Sequence, residues 1–314
     1  MSITIAVLGS INYDIVAKAV RLPNVGETVD GSDVDMYLGG KGTNQAVQTR
    51  LLGAHTYFIG CIGADSQGES VRENLKAQDV DDRFLYTLND QRTGCAVIYV
   101  DENGDNMLVH APGANKAITR EIVDSAKAQI QEADVFITQN EINGDMLAYG
   151  LSLANSLGVT TILNPAPAVP IPDEVYPLVD YITPNETESE AYTGILRANM
   201  PLDQWARANA EWFMKKGVKH VLITMGEKGA YYYDGKQEVR QSAFKIKAVD
   251  TTAAGDAFNG GLAYGIANGW EIEKSMVLGS ACGAMAAMTI GAQNSLRPME
   301  DVLHFLKAEG HPLA

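Results

Sequence analysis

Short runs of β-branched and aromatic residues alternate with amphipathic stretches from one end of this 314-residue chain to the other. The runs "ITIAVL" (3–8), "TYFIG" (56–60), "DVFIT" (134–138), "VTTIL" (159–163), "DYIT" (180–183) and "HVLIT" (220–224) read as buried strands. Between them, "TNQAVQTRLLGA" (43–54), "ESVRENLKAQD" (69–79), "ITREIVDSAKAQIQEA" (118–133) and "QWARANAEWFMKKG" (204–217) carry helical spacing. Strands apolar along both faces must be covered on both, so the expected fold is α/β: a mostly parallel sheet sandwiched by helices.

Two segments interrupt the pattern. Residues 14–38 have turn-like Gly, Pro and Asp positions but no helical period, and residues 92–110 read as a hairpin turning at "DENGD". With little else to cover them, they are expected to pair as short antiparallel strands in a small lid sheet projecting from the body. No repeat, low-complexity tract or linker marks a second unit, so residues 1–314 are expected to form a single domain with a discontinuous lid.

A formal net charge of −15 opposes nucleic acid or an anionic membrane surface as the main partner. Any anionic ligand therefore has to be held by local devices. Three cysteines far apart in sequence suggest reduced thiols, and the N-terminus has no basic segment ahead of its apolar run, so a cytoplasmic location is expected. Residues 275–296 contain no charge over a membrane-spanning length, but their richness in Gly, Ala and Ser predicts a closely packed buried helix.

Several common sites are excluded. "LGGKGTN" (38–44) lacks the Ser or Thr a P-loop places after Lys41, and Asp35 stands where its first Gly belongs. No GxGxxG follows the first strand, no GxSxG is present, and the five histidines show no zinc spacing.

The stretch "DTTAAGDAFNGG" (250–261) is the most suggestive. "FKIKAVD" (244–250) alternates like a strand and 255–269 reads as a helix, which puts residues 251–255 at a strand-to-helix turn. The unpartnered N–H groups and positive dipole end of such a helix attract an anion, and Ala253, Ala254 and Gly255 leave the backbone accessible. Asp256 in the first turn could take a proton from an attacking alcohol, or could simply complement the dipole. The segment alone leaves both readings open. Asn12 and Asp14 follow the first strand, Asn44 begins a helix after "GGKG", and Glu141 follows the strand at 134–138, all at positions where open α/β sheets bind ligands. Asn and Asp also suit pairs of vicinal hydroxyls.

Taken together and in order, "GSINYD", "GGKGTNQA", "NPAPA" (164–168), "TPNETE" (183–188), "TMGEKG" (224–229), "DTTAAGDAFNG" and "GAQNS" (291–295) resemble the ribokinase family of carbohydrate kinases over essentially the whole chain. The resemblance implies transfer of the γ-phosphoryl of ATP to the 5-hydroxyl of D-ribose. A related kinase of 2-deoxyribose, fructose or a nucleoside, or a non-catalytic sugar-binding regulator, is the alternative. It further implies that Asn12, Asp14, Gly40, Lys41, Gly42, Thr43, Asn44 and Glu141 hold the sugar. Asp256 would then be the base, and the backbone from Ala253 through Ala254 and Gly255 the anion hole. Thr224, Met225, Gly226, Glu227, Lys228 and Gly229 would cradle the nucleotide, with Ser280 beside adenine and small residues of 275–290 making room for it. Asn185 and Glu188 would organise Mg²⁺ through water. Asp250, Thr252, Ala286, Thr289, Gly291 and Ser295 would hold K⁺ by their oxygens. The exposed edges of the lid suggest a homodimer formed lid against lid.

Overall fold

The computed structural model describes residues 3–103, 105–198 and 200–313. Two sheets are formed by thirteen strands among these residues. They are β1 (Thr4–Leu8), β2 (Asn12–Ala19), β3 (Gly31–Gly39), β4 (His55–Gly63), β5 (Asp81–Leu88), β6 (Cys95–Val100), β7 (Asn106–Ala111), β8 (Val135–Gln139), β9 (Thr160–Asn164), β10 (Tyr181–Ile182), β11 (His220–Thr224), β12 (Ala230–Tyr233) and β13 (Glu238–Gln241).

The large sheet runs β13-β12-β11-β10-β9-β8-β1-β4-β5. Its strands are parallel from β11 through β5, and β12 pairs antiparallel with both β11 and β13. Val7 lies between Phe58 and Ile137 in register, and all three are fully buried. Helices α1 (Lys41–Leu51), α2 (Ser66–Ala77), α3 (Arg120–Ser125), α4 (Lys127–Glu132), α5 (Gly144–Ser156), α6 (Glu186–Thr193), α7 (Leu202–Lys215), α8 (Ala254–Ala267), α9 (Ile272–Ala287) and α10 (Met299–Ala308) cover it. One apolar layer joins the sheet to α5 and α7, and the other joins it to α1, α8 and α9. The expected sandwich is thus present. Chain order reverses between β1 and β8, so the crevice at their C-terminal ends is the sheet's switch point.

The smaller sheet runs β3-β2-β6-β7. Its two hairpins are antiparallel, as expected, and they join through β2 and β6, which pair in parallel. The reason is where the strands start. Tyr13 donates its N–H to the carbonyl of Gly94 at 2.8 Å, so both strands leave the body at one point and run outward together. Gly104 of the "DENGD" turn lies outside the described residues.

Other local expectations change. "FKIKAVD" forms no strand, because Phe244 and Ile246 face inward to pack against the cluster around α9 and α10, with Phe244 edge-on to Phe305, rather than to join a ladder. The helix expected over 118–133 divides at Ala126 into α3 and α4, while Ile122, Val123 and Ile130 stay buried. Among the described residues no helix is long and apolar enough to cross a membrane. The small residues of α9 serve contact with α8: a Cβ at Gly261 would stand 2.8 Å from Gly279 Cα, and one at Gly265 2.5 Å from Ser275 Oγ.

Candidate active site

The loops at the C-terminal edge of the large sheet converge with the start of α8 around a cavity of about 320 Å³. Lys41, Asn185, Glu188 and Thr224 line one part of it, and Thr252, Ala253, Gly255 and Asp256 another.

The start of α8 leaves the amides of Gly255 and Asp256 without a backbone partner, while Ala254 N donates to the Thr251 carbonyl at 3.2 Å. Ala253 precedes the helix at φ 59°, a left-handed conformation costly for a residue with a Cβ, and no side chain caps the turn. Asn259 steadies this turn from inside: its Nδ2 donates to the Gly255 carbonyl at 2.8 Å, and its Oδ1 accepts from Thr183 Oγ1 at 2.6 Å. The result is a rigid, positively polarised helix end facing the cavity.

Asp256 is only 6% exposed. Its Oδ2 accepts from Asn44 Nδ2 at 2.8 Å and its Oδ1 from Gln45 Nε2 at 3.0 Å. Burial pushes the carboxyl above its ordinary value, against the opposing pull of Lys41 and the two amides. Glu188 is likewise raised by burial. Burial alone would lower the Lys41 ammonium, but the fields of Asp256, Glu141, Glu188 and Asp14 raise it. One lysine thus serves four acids, an excess of negative charge that favours bound cations.

On the lid strand β2, outside the residues that line this cavity, Asp14 is raised to about 6 by burial and by nearby Glu141, with Lys41 opposing. Glu141 accepts from Ser10 Oγ and stands 3.8 Å from Lys41 Nζ. Gly40, at φ 93°, lets the chain pass β2 closely; a Cβ there would meet the Asn12 backbone nitrogen at 2.6 Å. Asn12 Oδ1 is engaged by Asn115 Nδ2 at 3.1 Å and His110 Nε2 at 3.2 Å. The Asn115 amide is itself fixed, accepting from Ile11 N and donating to Ile11 O. Asn12 Oδ1 is thus occupied, which leaves the Nδ2 donor as the side chain's remaining hydrogen-bonding group.

Not every residue singled out from sequence meets the cavity with its side chain. Thr43 Oγ1 donates to the carbonyls of Gly39 and Gly40. Met225 is buried, its N–H donating to the Gly229 carbonyl across the turn at Gly226–Lys228, and Lys228 pairs with Glu186 at 2.7 Å. Ser280 on α9 is not among the cavity's lining residues. Asn185 and Glu188 form a reciprocal capping box at α6 and also line the cavity. Asn44 keeps a buried Oδ1 without a partner, available to a hydroxyl.

The 250 loop is tied to the segment after α9. Asp250 accepts from Thr252 N and Oγ1 at 2.9 and 2.6 Å and from Gly291 N at 2.9 Å. Burial raises this acid, but those bonds outweigh it and hold it below its ordinary value. Thr289 Oγ1 accepts from Arg297, and Ser295 Oγ donates to the Ala292 carbonyl. The Asp250 carboxylate is the anionic oxygen group of this segment, the donor type a hard cation takes. Among the described residues no three acid, His or Cys side chains cluster as a metal site.

Gln45, Gln139, Asn115, His110, Thr183 and Asn259 were missed from sequence. Gln45 lies inside "GGKGTNQA", where a second amide beside Asn44, just ahead of apolar Ala46 and Val47, was the available signal.

The pfkB family carbohydrate kinase model matches residues 2–299. A ribokinase of Haemophilus influenzae is 37% identical, covering 97% of this chain and 98% of its own, and a deoxyribokinase of Salmonella typhimurium is 31% identical over 96% and 98%. The structure of Arabidopsis thaliana ribokinase complexed with ribose and ATP superposes with a TM-score of 0.92, at 31% identity, covering 98% of this chain and 99% of that one. The chain belongs to the pfkB family of carbohydrate kinases and is a phosphotransferase with an alcohol group as acceptor.

Proposed function

We propose that this carbohydrate kinase transfers the γ-phosphoryl of ATP to the 5-hydroxyl of D-ribose. The observation that carries the reading is the buried Asp256 carboxylate beside the uncapped start of α8, in one cavity with Lys41. The names of the relatives support ribose, and the deoxyribokinase among them makes 2-deoxyribose the second reading.

In this mechanism Asn12, Asp14, Gly40, Lys41, Asn44 and Glu141 hold the sugar. Asn12 donates through Nδ2, the ionised Asp14 accepts, and the free Asn44 Oδ1 accepts another hydroxyl proton. Asp256 takes the proton from O5 as O5 bonds to the γ-phosphorus and the bond to the β,γ-bridging oxygen breaks, releasing ADP. The amides of Gly255 and Asp256 stabilise the equatorial oxygens during transfer, next to Ala253 and Ala254 in the same turn. Thr224 and the 225–229 turn hold the nucleotide. Asn185 and Glu188 would orient a hydrated Mg²⁺, which when bound neutralises phosphate charge. Asp250 with the carbonyls of Thr252, Ala286, Thr289 and Gly291 and with Ser295 would hold K⁺ behind the anion hole.

The lid is proposed to close over the sugar and to pair with a second copy. Exposed Val34, Met36, Leu108 and Val109 on its strands support that pairing. The free state of Cys61, Cys95 and Cys282 supports a reducing, cytoplasmic setting.

Incubation with ATP, Mg²⁺, K⁺ and a sugar panel tests the reading. Ribose-dependent ADP release with the highest kcat/KM is expected. Absence of sugar-dependent release overturns it, and preference for 2-deoxyribose moves the assignment to the second reading. Dynamic light scattering at micromolar concentration should give a dimer, and a monomer rejects the lid pairing.

A further inference from the structure

Three side chains from three distant elements form a buried line behind the reacting end of the cavity. Gln139, the last residue of β8, donates its Nε2 to Gln45 Oε1 at 2.7 Å, and Gln45, on α1, donates its Nε2 to Asp256 Oδ1 at 3.0 Å. Both glutamines are fully buried. We propose that Gln45 and Gln139 are positioning residues for the phosphoryl transfer, an amide relay that fixes the orientation of the Asp256 carboxylate. This inference rests on the reading of Asp256 as the base.

The direction of the relay follows from chemistry. A primary amide can present either a donor or an acceptor, and the wrong face would set a carbonyl oxygen against a carboxylate. Gln139 removes that ambiguity. Its donor occupies Gln45 Oε1, so Gln45 can meet Asp256 only with N–H. Gln139 is in turn wedged against Gly9, where a Cβ would come 2.3 Å from its Oε1. That Oε1 is buried without a partner, a cost that an ordinary core position would not keep. With Asn44 on Oδ2 and Gln45 on Oδ1, each carboxylate oxygen has one lone pair engaged and another open to the sugar proton.

Loss of Gln45 acts on both geometry and ionisation. A donor to the charged form is removed, leaving Asp256 to burial, the like charges of Glu141 and Glu188, and the opposing charge of Lys41. Its acid limb therefore moves to higher pH.

Gln45→Leu, Gln139→Met and the combined variant test this, read as kcat, both KM values and the pH dependence of kcat with the sugar that wild type uses best. Gln45→Leu is expected to lower kcat at neutral pH by about ten- to a hundredfold and to move the acid limb up by about one unit, with both KM values within about twofold. Gln139→Met should shift the same limb in the same direction by less. Because Gln139 acts through Gln45, the combined variant should match Gln45→Leu rather than multiply the single effects. Unmoved acid limbs in both single variants, or multiplying effects, overturn the relay. Should Gln45→Leu not fold, Gln139→Met decides alone: a shifted limb supports the relay and an unshifted one rejects it. Full turnover by Asp256→Asn would instead remove the base assignment, and the relay with it.

Discussion

Gly255→Ala separates the stability of the α8 start from its use. Gly255 is a helical residue in the first turn of α8, and a Cβ built on it meets no protein atom within 4 Å. The fold therefore has no steric need for glycine there. Alanine has the higher helix propensity and lowers the entropy of the unfolded chain, so the variant should gain up to about 1 kcal/mol, less at a helix start than in its middle. In a chain of this size that is a rise of roughly 1–3 °C in Tm. The same open space is the cavity in which the amides of Gly255 and Asp256 would receive the phosphoryl group. A methyl group there holds the phosphoryl off its donors, and loss of one such donor costs about a hundredfold, or roughly 2.7 kcal/mol of transition-state stabilisation. Differential scanning fluorimetry and a coupled ADP-release assay on one preparation give both numbers. A variant at least as stable as wild type with kcat/KM reduced about a hundredfold is the expected result. Unchanged kcat/KM would refute the reasoning, because the transferred group could not then be lying against this turn.

Asp14, raised to about 6, should make sugar binding pH-dependent: as pH falls below about 6 the acceptor is protonated, and KM for the sugar should climb by up to tenfold per unit. A flat KM between pH 5 and pH 8 on a roughly logarithmic scale of sugar concentrations would remove Asp14 from binding as an ionised group. The same shift has a stability consequence of defined sign. A carboxyl raised from 3.8 to about 6 by the fold favours folding below its unfolded value and loses that contribution as pH rises through about 6. Asp14→Asn should therefore stabilise the free protein by about 3 kcal/mol at pH 7 and by little at the acid end, measured by urea unfolding; equal effects at both pH values reject the cause. Burial pushes Cys61 and Cys282 up to about 12, while half-buried Cys95 is raised less, so a thiol reagent at pH 8 should label at most Cys95 in the native protein. Rapid labelling of three thiols would show that the packing around Cys61 and Cys282 opens readily.

Much of the architecture was legible because its signals are local. The apolar runs at 134–138 and 159–163 fall within a residue of β8 and β9, and the turn before α8 follows from the small residues at 253–255. Where local pattern misled, another force produced the same periodicity. Phe244 and Ile246 alternate because they pack on helices, not because they pair in a ladder.

By itself the sequence determined the alternation of strand and helix, the open helix start at 253–255, and the positions of Asn12, Asp14, Lys41, Asn44, Glu141 and Asp256 near strand and helix ends. Hydrophobic period, capping and backbone accessibility act over a few residues, so they can be read in a line of text. Tertiary structure alone decided which groups touch. Gln45 and Asp256 are 211 positions apart, and Gln139 and Gln45 94, yet their amides and carboxylate share one buried line. The elevation of Asp14, the donor face of Asn12 and the surplus of acids around Lys41 likewise arise only when distant segments exclude water together, because desolvation and hydrogen-bond direction belong to the assembled space rather than to any segment.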